Sequence, residues 1–159
     1  MKKWFGRGTL LGLAGLLIMI VVTRLVMARS QPPAGLGLTN GQLAPCPPSP
    51  NCVNSQSGTG TAAIDPIPYD GDTVAAQAAL VAIIGAMDRS VILTAEPDYI
   101  HAVFRSALFD FPDDAEFYFD EPAGLIHIRF ASRYGYGDLG ANHDRAETIR
   151  EEFQSFAAD

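Results

Sequence analysis

Hydrophobic positions follow two regimes along this chain. The first is one unbroken block: from Gly8 to Met27, 20 residues, the only charged side chain is Arg24. Coiled as a helix, such a block is roughly 30 Å long, about one hydrocarbon core. Lys2, Lys3 and Arg7 precede it, and Arg24 lies near its far end, where a long cationic side chain reaches to the interface. The second regime starts at residue 72 and is periodic. Asp72 and Thr73 offer an N-cap, after which Val74, Ala78, Val81, Ile84 and Met87 recur at helical spacing. Four stretches then alternate with period two. They are Val91 to Thr94; Tyr99 to Leu108, with Ile100, Ala102, Phe104 and Leu108 on one face; Ala115 to Asp120, with Phe117 and Phe119; and Leu125 to Arg133, with Ile126, Ile128 and Phe130. Proline-containing turns at Glu96-Pro97-Asp98, Phe111-Pro112-Asp113-Asp114 and Glu121-Pro122-Ala123-Gly124 separate them. A last helix is expected from Asp144 to Phe156, capped by Asn142 or Asp144, with Ala146, Ile149, Phe153 and Phe156 as its apolar stripe.

Helix, four strands, helix, with one wet strand face, predicts an α+β two-layer domain. Its sheet is an antiparallel four-stranded meander covered on one face by two helices and preceded by an N-terminal transmembrane helix. The chain divides into a basic N-terminus (1–8), the apolar span (9–28), a Pro- and Gly-rich linker (29–45) and the domain (46–159). The span has two readings. It is a single-pass anchor in the inner (plasma) membrane, N-terminus in the cytoplasm and domain periplasmic. Alternatively it is a signal peptide, with the h-region Leu10 to Val22 and a Val26-Met27-Ala28 cleavage site.

Charge sharpens the division. Five of the 11 basic residues lie within positions 1 to 29 and all 18 acids lie beyond, so the rest of the chain has six basic against 18 acidic residues, a formal −12. A body this acidic is repelled by phosphate backbones, which excludes nucleic acid as a partner class, and it does not lie flat on an anionic membrane.

Gly135, Gly137 and Gly140 spell G-x-G-x-x-G. A dinucleotide loop needs a preceding parallel strand, a crossover helix and a second strand, and the chain ends too soon after Gly140 to supply them. The loop reads instead as a turn needing positive φ, or as an anion nest ahead of a helix, bracketed by Arg133 and Arg145. On the polar strand face, His101, Arg105, His127, Arg129 and Arg133 share space with Glu116 and Tyr118. This is either cross-strand ion pairing on a solvated surface or a shallow site for a carboxylate or phosphate. Asp113, Asp114 and Glu116 read as an acidic hairpin turn that pairs with Arg129 or Arg133, and the spacing lacks a calcium loop. Ser132, His127 and Asp138 make a triad only on paper, since no nucleophile elbow accompanies them. Cys46 and Cys52 flank a Ser-Pro-Asn turn. A disulfide is the first reading outside the cytoplasm; a redox pair, or zinc with two further ligands, are the others.

Four blocks occur in order: C-P-P-S-P-N-C-V at 46 to 53, Tyr99–Arg105–Ser106, D-D-x-E-F at 113 to 117, and A-S-R-x-G-x-x-D-x-G-x-N-x-x-R-x-E from Ala131 to Glu147. With these blocks the chain resembles the domain of unknown function 1499 family from about Cys46 to Phe153. It departs at Phe130 and His143, where the family pattern carries arginine or serine, and arginine. The resemblance implies a membrane-associated or exported domain and supplies no activity. It makes Arg133, Gly135, Asp138, Gly140, Asn142, Arg145 and Glu147 the closing motif, in which Asp138 and Glu147 pin the two arginines or the arginines await a ligand. The expected function is a membrane-tethered, non-enzymatic accessory subunit or assembly factor of a membrane complex, or a domain binding a small anion or lipid. No metal or cofactor is expected. The alternative is a hydrolase or isomerase for an anionic substrate, with His101 or His127 as base and Arg105, Arg129 and Arg133 as clamp.

Overall fold

A computed structural model describes residues 2–157, with side chains described for 8–156. The side chains of Lys2, Lys3 and Arg7, on which the orientation of the span was read, lie outside the described residues. The elements are α1 (Lys2–Met27), β1 (Cys52–Asn54), β2 (Ile67–Pro68), α2 (Thr73–Ala86), β3 (Ser90–Glu96), β4 (Tyr99–Arg105), β5 (Pro112–Asp120), β6 (Leu125–Ser132) and α3 (Ala141–Ala157).

The alternating segments β3 to β6 form the expected antiparallel meander. The sheet has six strands rather than four, in the order β1-β6-β5-β4-β3, with β2 also on β6. β1 and β2 cover different stretches of the β6 edge, opposite Arg129 to Ala131 and opposite Leu125 and Ile126. They are too short to show a period.

One sheet face builds the core. Ile100, Ala102 and Phe104 of β4, Ala115, Phe117 and Phe119 of β5, and Ile126, Ile128 and Phe130 of β6 pack under α2 and α3. Phe117 and Phe130 meet edge to face, centroids 5.5 Å apart, the geometry that their ring quadrupoles favour. Asp72 caps α2 as expected, accepting from Val74 N at 2.8 Å. The buried face of α2 is Ala76, Ala79, Leu80, Ile83 and Ile84, and Val74 is exposed, so the expected stripe is rotated about the helix axis. α3 buries Ala146, Ile149 and Phe153 and leaves Phe156 outside. Leu108 falls beyond β4 in an exposed loop, because the strand ends at Arg105.

The other face is not the wet face of the sequence reading. Residues 30 to 47 lie across it as a strap. Gly37 N donates to Glu116 Oε1 at 2.7 Å, Leu43 N donates to Gln56 at 2.8 Å, and Asn54 donates to Ala44 O at 2.8 Å. Leu43 of the strap is itself buried. Gly37, at φ +97°, takes a left-handed turn that aims its N–H into the sheet. The stretch expected to be a linker is therefore ordered by what it covers, without an apolar period of its own.

Cys46 and Cys52 form the expected disulfide, Cα atoms 5.7 Å apart, where the strap joins β1. For so small a loop the chain-entropy cost it removes is about 2 kcal/mol. Cys52→Ser should lower the thermal midpoint of the oxidised protein, and reductant should bring the wild type to the same midpoint. A wild type that melts identically with and without reductant would refute a structural role.

Candidate functional site

The covered sheet face holds an ionic layer in two linked clusters. β-Register sets His101, Glu116 and Arg129 side by side on β4, β5 and β6. Glu116, wholly buried, accepts from Arg129 Nη1 (2.8 Å), Tyr99 Oη (2.8 Å) and Gly37 N (2.7 Å). Burial and then the Glu116 charge push the Tyr99 phenol far above its ordinary pKa, so it stays a hydrogen-bond donor. Two residues along β5, Asp114 receives a forked pair from Arg133, Nη2 to Oδ1 at 2.6 Å and Nε to Oδ2 at 2.7 Å. His101 Nε2 lies 2.8 Å from the same Oδ1. Burial alone would raise the Asp114 pKa. The Arg133 hydrogen bonds, then His101, reverse it and hold this carboxyl below its usual range. Arg133 Nη1 also donates to Ser30 O at 3.0 Å, so this cluster too holds the strap.

Asp113 lies on the opposite side of β5, because neighbouring strand residues alternate. The "acidic turn" of the sequence reading is thus part of a strand, and its carboxylates serve both faces. Asp113 meets Arg145 of α3 at 3.2 Å, and the Arg145 guanidinium lies 4.7 Å from the Phe104 ring centroid. Burial pushes the Asp113 carboxyl up, with Ser132 and Arg145 offsetting part of the rise.

The glycine loop joins β6 to α3. Gly135 and Gly140 carry positive φ and Gly137 does not. The amides ahead of α3 are already served: Asp138 accepts from Gly140 N at 3.1 Å and from Asn142 N at 3.0 Å. Asp138 is therefore the cap expected of Asn142 or Asp144, and it fills the anion nest with the chain's own carboxylate. Asn142 is spent on Asn51 O and Ser132 Oγ, each at 3.0 Å. Asn51 in turn donates to Gly135 O at 2.9 Å, which ties the disulfide loop to the glycine loop. Glu147 pairs with Arg150 at 3.0 Å. The two motif arginines are pinned by Asp114 and Asp113, not by Asp138 and Glu147.

Arg105 is set apart from Arg129 and Arg133. Its Nη1 donates to Met27 O (3.2 Å) and Asp110 O (3.1 Å), holding the end of α1. His127 sits toward the other end of the sheet, stacked with Tyr118 at 6.1 Å between centroids. Ser132 does not meet it. The hydroxyl it meets is Ser55 Oγ, 3.3 Å from Nδ1, and Asp120 Oδ2 lies 3.8 Å from Nε2, beyond hydrogen-bond reach. Ser55 Oγ also accepts from Ile128 N at 2.9 Å. Burial pulls the His127 pKa down and Asp120 only partly restores it. A lowered histidine pKa means the unfolded chain binds the proton more readily, so this residue's contribution to stability falls as pH drops below about 6.5. His127→Gln should flatten the stability profile between about pH 7 and 5. An unchanged slope in that window would refute this.

Between the strap and β6 runs a cleft of about 590 Å³, floored by Asp114, Arg129 and Arg133. Arg129 Nε is buried, without a hydrogen-bond partner among the described residues. Sequence reasoning gave Tyr99 and Asn51 no part in a site and missed the strap. The available signal for the first was its odd position in the β4 alternation, in step with His101.

The profile of the family described as "Protein of unknown function (DUF1499)" matches residues 42–153. That span takes in the disulfide loop, the ionic layer and the glycine loop. No curated protein matches the chain.

Proposed function

Because this chain belongs to the DUF1499 family, whose description assigns no reaction, we propose its function from the strapped ionic face: a membrane-tethered, non-enzymatic accessory or assembly component, its domain outside the cytoplasm. One observation carries this reading. The polar groups that a catalyst would spend on substrate are spent on holding the strap and the end of α1. Glu116 and Arg133 hold residues 37 and 30, and Arg105 holds Met27. Such a body is fixed rigidly at the point where its tether begins. The disulfide and the basic N-terminus support an oxidising compartment across the membrane. The bonds made by Arg24 and by Met27 O support an anchor rather than a cleaved signal, since cleavage after Ala28 would discard them.

Purification of the tagged full-length protein from its own membranes in mild detergent tests the accessory role. A membrane protein eluting with it at fixed stoichiometry, and retained after cross-linking in intact cells, is expected. A monodisperse protein alone in both experiments overturns it.

A second reading has its own observation, the Nε of Arg129, buried beside the cleft without a hydrogen-bond partner among the described residues. A small anion there would complete the guanidinium's hydrogen bonding. Phosphate or citrate should then raise the melting temperature of the wild type more than that of Arg129→Lys, which keeps the Glu116 charge partner but has no Nε. Equal shifts remove the site. The enzyme reading is less favoured, because His101 is buried against Asp114 and the Asp120 carboxylate facing His127 lies 3.8 Å away, beyond hydrogen-bond reach.

A further inference from the structure

Among the described residues outside α1, Leu108, Phe111, Tyr134, Tyr136 and Leu139 are exposed large apolar side chains gathered in two loops, whereas Val74, Val91, Leu93 and Phe156 are spread over α2, β3 and α3. The β4–β5 loop carries Leu108 and Phe111, and the glycine loop carries Tyr134, Tyr136 and Leu139; Leu139 is fully exposed and Tyr136 is 77% exposed. Both loops lie at one end of the sheet, where β4 and β6 finish and β5 starts. Their residues Phe111, Tyr134, Gly135 and Leu139 line one shallow cleft. This is also the end at which α1 meets the domain. Arg24, in the last turn of α1, donates to Ala107 O at 3.0 Å and Leu108 O at 3.3 Å, and Tyr134 Oη donates to Ser30 Oγ at 3.1 Å.

We propose that these two loops form a foot that rests in the lipid interface of the membrane that α1 spans. The inference rests on the anchor reading above. If Gly8–Met27 crosses the hydrocarbon, Arg24 is only three residues, about 4.5 Å, from the end of the span. The carbonyls it holds are then at headgroup depth, and Leu108 beside them faces lipid. Tyrosines with a wet hydroxyl and an apolar ring suit that depth. The acidity of the body does not oppose this contact. Asp110, the acid of the first loop, is neutralised by Arg24 (3.4 Å) and Arg105 (3.5 Å), and Asp138 of the second caps α3. Arg29 is exposed at the same end and can meet lipid phosphates. The backbone adds an independent sign. Leu139 has φ +59°, a conformation that costs a leucine energy, yet its side chain buries nothing within the domain. A lipid surface supplies the missing contact.

The test uses full-length protein in phosphatidylcholine vesicles under non-reducing conditions. Leu108→Cys, Tyr136→Cys and Val74→Cys are each labelled with a polarity-sensitive fluorophore. Val74 is exposed at the start of α2, at the opposite end of the sheet, roughly 25 Å away by strand length. Labels at 108 and 136 should shift to the blue, be quenched by lipids brominated on their acyl chains and resist aqueous iodide, while the label at 74 behaves as in water. Protein that stays in the vesicles through an alkaline wash with all three labels equally wet overturns the foot and leaves the anchor standing. Protein released by the wash overturns both.

Discussion

Glu116→Ala should destabilise the domain by about 3–5 kcal/mol, the range for breaking a buried ion pair from one side. The carboxylate is wholly buried, and three donors converge on it: Arg129 Nη1, Tyr99 Oη and Gly37 N. Its removal leaves a guanidinium only 9% exposed without a counter-charge, and a phenol and an amide without an acceptor. For a domain of this size the loss lowers the thermal midpoint by on the order of 10 °C or more. Replacing both partners, Glu116→Leu with Arg129→Met, should cost clearly less than the two single changes added together, because no charge is then stranded. Thermal melts of the full-length protein in detergent, disulfide intact, decide it. Strict additivity in the cycle would show that the two residues do not act as a pair. A second readout is protease sensitivity near residue 37, which should rise in Glu116→Ala because the strap loses its central hydrogen bond.

The charged residues of this layer were visible in the sequence, and the part of Tyr99 and the covered setting were not. The meander was legible because β4, β5 and β6 alternate over most of their length, with Phe104, Phe117 and Phe130 fixing which face is apolar. The face of α2 was not. The run TVAAQAALVAIIGA is apolar nearly all round, so the period is present without a phase, and packing against the sheet and α3 chooses Leu80 and Ile83 over Val74. Pro112-Asp113-Asp114 has turn composition, yet it is strand. The cations that make this possible come from 19 and 32 residues further on, Arg133 for Asp114 and Arg145 for Asp113. Propensity reads only neighbours, so it could not register them. The same limit hid the strap. Ser30 to Pro45 has linker composition and no period, and its order comes from donors and acceptors on the face where it lands. Covering a β-face that carries Glu116 and Asp114 costs less when backbone amides and arginines serve the carboxylates than when they are buried alone. The one-sided alternation was correct, and it marked where the strap would lie rather than where water would be.

Asp114→Asn is expected to have an effect of similar size, about 3–5 kcal/mol near neutral pH, and to leave a different pH signature. The change keeps shape and one acceptor oxygen. It removes the charge that holds Arg133, whose side chain is 5% exposed, and that faces His101 at 2.8 Å. Because the folded-state pKa of Asp114 is held down, its contribution is fully present above the unfolded value of about 3.9 and is lost as pH falls through the lower folded value. The gap between wild type and Asp114→Asn should therefore be constant from about pH 7 to 5 and should narrow below about pH 4. Asp113 has the opposite sign, since its pKa is raised, so Asp113→Asn should be tolerated better and its gap should not narrow in acid. Chemical unfolding of the three proteins at a series of pH values separates these cases. A gap for Asp114→Asn that stays the same down to about pH 2 would mean that the variant loses packing rather than charge. The consequence reaches beyond stability. Arg133 also holds Ser30, and Ser30 follows the end of α1. Freeing Arg133 loosens the seam between the domain and α1, so if the proposed foot rests on lipid, Asp114→Asn in vesicles should weaken the contact at Tyr136 more than that at Leu108, whose carbonyl Arg24 holds independently.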